Sequence, residues 1–230
     1  MKSRQEIKTL AKAAMREQRG TAISLLFFFG LLAIVSSAID FAVLYVTENM
    51  IAYYAVFWLG MAILYVMFVN VLGEYIKIYK HEKASAGALF SGLSVNFLRK
   101  LGGTLWMSLW IFLWTLLLII PGIIKSFSYS MTMNILADCP NVTARKALKL
   151  SMRITKGHKL SILAFGLSYI GWLLLSALTF YILYIVYVGP YYWTAWSGLY
   201  LEMREEALRD GRITLEDLGM SGSSGFGNQN

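Results

Sequence analysis

Leu101 to Ala137 reads LGGTLWMSLWIFLWTLLLIIPGIIKSFSYSMTMNILA, an apolar run interrupted by one charge, Lys125. As a single helix it would be roughly 50 Å long at about 1.5 Å per residue, while the hydrocarbon core of a bilayer is about 30 Å thick. Pro121-Gly122 in its middle is a turn signal. The run therefore divides into two short helices, Thr104 to Ile120 and Ile123 to Ala137.

The same test applies on either side. Leu160 to Leu201 carries no charge and would reach roughly 60 Å as one helix, so it too must fold back. No Pro-Gly pair marks the place, and the turn is expected near Leu178 to Tyr181. Upstream, Asp40 is the only charge between Arg19 and Glu48, and none lies between Glu48 and Glu74. Each stretch suffices for one crossing, joined by the short linker Thr47-Glu48-Asn49-Met50. The expectation is an all-α, polytopic membrane protein with six transmembrane helices in three hairpins.

Charge tests that count, because Lys and Arg concentrate on the cytoplasmic side. Six crossings put Lys2 to Arg19, Lys77 to Lys100, Arg145 to Lys159 and Arg204 to Arg212 on one face, which collects every one of the 21 basic residues except Lys125. If either long run were one crossing, a basic cluster would move outside. Both termini are expected in the cytoplasm of a cell membrane. A secretory leader is a weaker reading of the N-terminus: Ser36-Ser37-Ala38 loosely resembles a cleavage site, but the basic region before it is long and the apolar run continues to Val46.

Composition agrees: 57% of residues are hydrophobic and 15% charged, against about 25% charged in soluble domains. The net charge of +8 is spread in short groups between apolar runs, a pattern of anionic-lipid contacts and topology signals rather than of a nucleic-acid site. A single cysteine, Cys139, excludes an internal disulfide and a multi-cysteine metal site.

The cytoplasmic segments leading into the hairpins share a plan of basic amphipathic helix, glycine, membrane helix, which suggests a pseudo-threefold repeat with units of about 1–73, 74–137 and 138–203. In the first, Ile7, Leu10, Ala11, Ala14 and Met15 oppose Lys8, Lys12, Arg16 and Arg19; Ser3-Arg4-Gln5-Glu6 fits a capping box and Gly20 follows. The second has Leu89, Phe90, Leu93 and Phe97, then Arg99, Lys100 and Gly102. The third sets Ala147, Leu150, Ser151 and Ile154 against Arg145, Lys149, Arg153 and Lys156, with Thr143 as N-cap and Gly157 as terminator. Such helices either lie in the interface, apolar face in the acyl chains, or pack on the protein itself. Residues 1–218 form one membrane domain on this reading, and the small, polar stretch 219–230 a disordered tail.

Candidate intramembrane polar residues are Asp40, Lys125, Asn70 and Asn134. Asp40 is a functional candidate because an intramembrane charge is costly, or a residue near an outer helix end reaching headgroups. Lys125 can pair with Asp40 or snorkel alone, and the asparagines are suited to interhelical bonding. Glu74 and Asp138 are expected as caps or partners of the basic helices. Candidate anionic-lipid contacts are Arg145, Lys149, Arg153, Lys156, His158 and Lys159. Tyr181, Tyr184 and Tyr187 share a face near Pro190, which should kink their helix. No metal spacing, P-loop, dinucleotide fingerprint or nucleophile elbow is present, so no cofactor, metal or catalytic residue is expected.

Several of these residues also resemble a known family. Glu6-Ile7-Lys8 with Ala11-Lys12-x-Ala14, Tyr129-Ser130-Met131 before Ile135-Leu136-Ala137-Asp138, Ala147-Leu148-x-x-Ser151, Gly157-His158-Lys159, Ser168-x-Ile170-Gly171-Trp172 and Pro190-Tyr191 with Ala195 and Tyr200 resemble the bacterial membrane family known as domain of unknown function 975. The second half is the more specific. The resemblance implies a bacterial, Gram-positive cytoplasmic-membrane protein and supplies no activity. Three functions compete: a non-catalytic organiser of anionic lipid, of a partner protein or of further copies of itself; a small transporter or channel component using a polar site between helices; and, last, a lipid-modifying enzyme.

Overall fold

The computed structural model describes residues 2–94 and 96–220, side chains at 91, 92 and 94 excepted. Within them the chain is helical and has no strand: α1 Arg4–Glu17, α2 Arg19–Thr47, α3 Met50–Tyr79, α4 Ala88–Ser94, α5 Phe97–Leu117, α6 Ile119–Tyr129, α7 Thr132–Asp138, α8 Ala144–Ile154, α9 Lys159–Leu167, α10 Ile170–Leu178, a π-helical turn Tyr184–Val188, and α11 Gly189–Arg209. Of the expected tail, 221–230 lies outside the described residues, while Gly219 accepts a 3.3 Å bond from Asn141.

Four helical segments are long and apolar enough to cross a membrane: Arg19–Thr47, Met50–Tyr79, Phe97–Leu117 and Lys159–Leu178. Two further segments were expected. One is interrupted between α6 and α7 at Ser130-Met131, and α11 carries Glu202, Arg204, Glu205 and Glu206 in its second half.

The quoted run breaks earlier than the Pro-Gly pair suggests. Leu118 is extended (φ −159°, ψ 134°), and Pro121 falls in the first turn of α6, where its missing N–H costs nothing. Gly122 is required by close approach, because a Cβ there would stand 2.7 Å from the Thr115 Cα. In the last run α10 stops at Leu178, and Phe180 (φ 49°) and Tyr181 (φ 62°) take left-handed conformations. Ring pairs then match in reverse order, Trp172 with Tyr187 (5.8 Å), Tyr169 with Tyr191 (5.5 Å) and Phe165 with Trp196 (6.0 Å). Just before Pro190 the helix widens into the π turn, which accommodates a residue that lacks an N–H.

Of the three glycines read as helix ends, only Gly157 (φ 88°) ends a helix. Gly20 and Gly102 lie inside α2 and α5. The second amphipathic helix differs too: the chain breaks at Asn96 (φ 57°), so Phe97, Arg99 and Lys100 begin α5 instead of ending α4.

Packing is concentrated at the basic end. Ile7 and Ala11 of α1, Val69 and Ile76 of α3, Ile135 of α7, Ala147, Leu150 and Ile154 of α8, and Leu199 and Met203 of α11 form one core; Met15, Leu25, Val71, Tyr75 and Leu89 belong to a second. The opposite ends stay apolar and exposed, including Ile34, Phe41, Val46, Ile51, Trp58, Leu116, Ile120, Leu178 and Phe180. Water does not tolerate so continuous an apolar surface, and lipid does. The apolar faces of α1 and α8, by contrast, are buried in the protein. For these two helices the interfacial reading, apolar face in acyl chains, is therefore corrected: the core already takes Ile7, Ala11, Ala14 and Met15 of α1 and Ala147, Leu150 and Ile154 of α8, and the basic faces are turned outward together with Leu10.

Candidate functional site

The C-terminal end of α3 brings Asn70, Glu74 and Lys77 onto one side, and α5 and α7 face them with Lys100 and Asp138. Between them lies a cleft of about 520 Å³, also bordered by Lys80 and Glu82. Lys100, only 9% exposed, donates to Asn70 Oδ1 at 2.5 Å, and Asn70 Nδ2 donates to the Leu89 carbonyl at 3.2 Å. Glu74 accepts from Lys77 Nζ (2.7 Å) and from the Ser85 amide (2.8 Å), which ties down the segment between α3 and α4.

Asp138 is the second node. It accepts from Lys80 Nζ (3.1 Å), from the Tyr200 hydroxyl (3.0 Å) and from Arg204. Burial of such a carboxylate is sustained only by several donors at once. Next to it Arg99 donates to the carbonyls of Leu136 (2.7 Å), Cys139 (3.1 Å) and Val142 (2.8 Å), closing the C-terminal end of α7, where carbonyls lack helical partners. The Cys139 thiol between these groups is pushed up to about 11 by burial and by Asp138. Lysines and carboxylates both line the cleft, Lys77, Lys80 and Lys100 with Glu74, Glu82 and Asp138, so its wall suits a polar or zwitterionic group.

The four expected intramembrane residues do not form one site. Asn70 joins the cleft. Asn134 accepts from Trp196 Nε1 at 3.1 Å. Asp40 faces α3, and Lys125 lies over the Trp114 ring at 4.8 Å and the Tyr129 ring at 6.0 Å. Asp40 and Lys125 share no ion pair among the described residues. Lys100, absent from the candidate site residues of the sequence, carried one signal: a lysine at the very edge of an apolar run, directly before Leu101.

Of the basic set, Arg145, Lys149, Arg153 and Lys156 are exposed along α8 and just beyond it. Arg145 rests 5.1 Å over Trp106, and Arg153 is 3.5 Å from Asp217. His158 Nε2 lies 2.9 Å from Glu206 Oε1, so this ring is engaged by the protein, and Lys159 opens α9. Arg212 donates to the carbonyls of Arg153 (3.2 Å), Ile154 (3.4 Å) and Lys156 (3.0 Å). It thereby closes α8 from the C-terminal segment, whose Ile213 and Leu218 are buried.

Residues 116–207 match the family model described as "Protein of unknown function (DUF975)", within the second half of the chain, where the more specific resemblance lay. The opening motif, from Glu6 to Ala14, falls outside the match. Neither a curated protein nor a solved structure matches the chain.

Proposed function

We propose that this chain, whose residues 116–207 match the DUF975 family model, is a non-catalytic, multi-pass protein of a bacterial cell membrane that organises anionic lipid at the cytoplasmic face. On this reading it crosses six times in three hairpins, with the basic end and both termini in the cytoplasm. The observation that carries the reading is the orientation of α1 and α8. Their apolar faces, Leu10 excepted, are spent inside the protein, and Arg4, Lys12, Arg16, Lys149, Arg153 and Lys156 point out from the same end. Juxtamembrane Lys and Arg attract anionic headgroups at about 1 kcal/mol each, an attraction that salt screens. Apolar insertion of the two helices plays no part.

The test is the selectivity of the reconstituted protein for spin-labelled phosphatidylglycerol over phosphatidylcholine, read as the motionally restricted lipid fraction. Selectivity is expected, falling as salt rises and falling again in the combined variant Arg145→Gln, Lys149→Gln, Arg153→Gln and Lys156→Gln. Equal restriction of the two lipids, or selectivity indifferent to salt, overturns the reading. If selectivity resists those substitutions but salt abolishes it, α8 is not the contact. A partner protein or a second copy on the same basic surface is the neighbouring reading. A transporter or channel component is a second one, favoured by the inward-turned carboxylate of Asp40.

A further inference from the structure

Near the end of α2 remote from the basic cluster, Asp40 turns its side chain toward α3 and is 8% exposed. Its Oδ1 is fully shielded and has no hydrogen-bond partner. A shielded carboxylate oxygen without a donor is costly, and native structures rarely leave one so. It borders a lateral cavity of about 310 Å³ between α2 and α3, whose remaining lining is apolar apart from Ser36, one turn before Asp40. That volume is at the lower end of the range of about 300–1,000 Å³ typical of small-ligand sites.

The cavity has a direction. Asp40, Val56 and Leu59 border the end away from the basic cluster, and Leu32 and Met67 border the deeper end. Gly60 sets the spacing: a Cβ there would lie 2.5 Å from Ser36 Oγ, so glycine lets Ser36 approach α3. Val35, Ile39, Leu59 and Ile63 are exposed on the outside of the same helices, which opens the cavity sideways to the bilayer. The one cation expected nearby, Lys125, is held over Trp114 and Tyr129 instead.

We propose that the cavity between α2 and α3 binds a cationic amphiphile with a primary ammonium head: the head donates to Asp40 and the alkyl chain lies along the apolar walls toward Met67. Charge complementarity selects the head, because a carboxylate lacking donors in an apolar surround accepts most strongly from a charged N–H. The polarity of the cavity selects the orientation. With the basic end in the cytoplasm, the topology proposed above, Asp40 lies toward the outer surface, so head and chain match an amphiphile of the outer leaflet. The binding itself does not depend on the lipid-organising role.

The test is equilibrium dialysis of radiolabelled decylammonium against the full chain in phosphatidylcholine nanodiscs, with empty nanodiscs subtracted. One saturable site is expected. Decanol and decyl sulfate should fail to displace the label, and decyltrimethylammonium, which has no N–H, should displace it weakly. Asp40→Asn keeps the shape and should weaken binding about tenfold or more. Ile63→Trp obstructs the groove without touching the carboxylate and should do the same, each variant being taken at wild-type elution and helicity. Undiminished binding in Asp40→Asn, or displacement by decanol as effective as by unlabelled decylammonium, overturns the proposal. Either result leaves the phosphatidylglycerol experiment untouched.

Discussion

Replacing Arg99 by methionine keeps the aliphatic stem and removes a guanidinium that donates to three carbonyls at the end of α7, those of Leu136, Cys139 and Val142. Hydrogen bonds to charged groups contribute about 1.5–3 kcal/mol each, which would sum to several kcal/mol if they acted independently. They do not, since one guanidinium is desolvated once for all three bonds. Arg99 is also only half-buried, so water can reach part of the released backbone. A loss of about 2–4 kcal/mol in the local stability of the α7–α8 connection follows.

The chain supplies its own reporter, because Cys139 is its only cysteine and is 1% exposed. If labelling requires opening of this connection, about 3 kcal/mol corresponds to roughly a hundredfold faster modification by maleimide. Arg99→Met is therefore expected to label at that elevated rate at a temperature where both proteins remain folded, with a lower melting temperature in the same detergent. Unchanged labelling together with unchanged melting would refute the view that Arg99 closes α7.

Two other outcomes can be checked alongside. Gly122→Ala places a Cβ against the Thr115 backbone and should destabilise by about 1–3 kcal/mol, read as a lower midpoint in detergent unfolding. The Cys139 thiol, raised from an ordinary value of 9.0 to about 11 in the folded state, contributes stability that is full below about pH 9 and lost as pH rises through about 11. Melting temperatures of wild type and Cys139→Ser measured from pH 7 to 11 should thus converge at the alkaline end; a constant difference across that range removes the thiol from the account of alkaline stability.

Length and charge made the apolar helices legible, because a run too long for a bilayer must fold and basic groups resist crossing it. What marks a fold-back was less legible. A proline suits the first turn of a helix as well as a turn, so Pro121 did not reveal that the helix breaks at Leu118. The break at Phe180-Tyr181 uses left-handed residues that no glycine announces, yet sheer length located it. Amphipathic periodicity identified the faces of α1 and α8 but not what covers them, since a stripe of Ala147, Leu150 and Ile154 serves protein and lipid alike. Asn96 shows the weakness of extending such a stripe: Phe97 continued the pattern of Leu89 and Leu93 across a chain break.

The cleft was half visible. Asn70, Glu74 and Asp138 stood out as polar residues at span ends, and the last two were expected to meet basic partners. Those partners depend on tertiary register. Lys100 meets Asn70 and Arg204 meets Asp138 only because α5 and α11 pack beside α3 and α7, and no sequence spacing encodes that. Burial of Asp40 belongs to the same class, as periodicity does not distinguish a carboxylate turned toward a neighbouring helix from one turned toward headgroups.

The most direct measurement is membrane topology by cysteine accessibility in intact cells, with Cys139→Ser as background and single substitutions Glu48→Cys, Leu118→Cys, Phe180→Cys and Lys149→Cys. An impermeant maleimide should label the first three without lysis and Lys149→Cys only after it, as six crossings with the basic end inside require. Labelling of Lys149→Cys in intact cells, or protection of Leu118→Cys or Phe180→Cys until lysis, would contradict that arrangement.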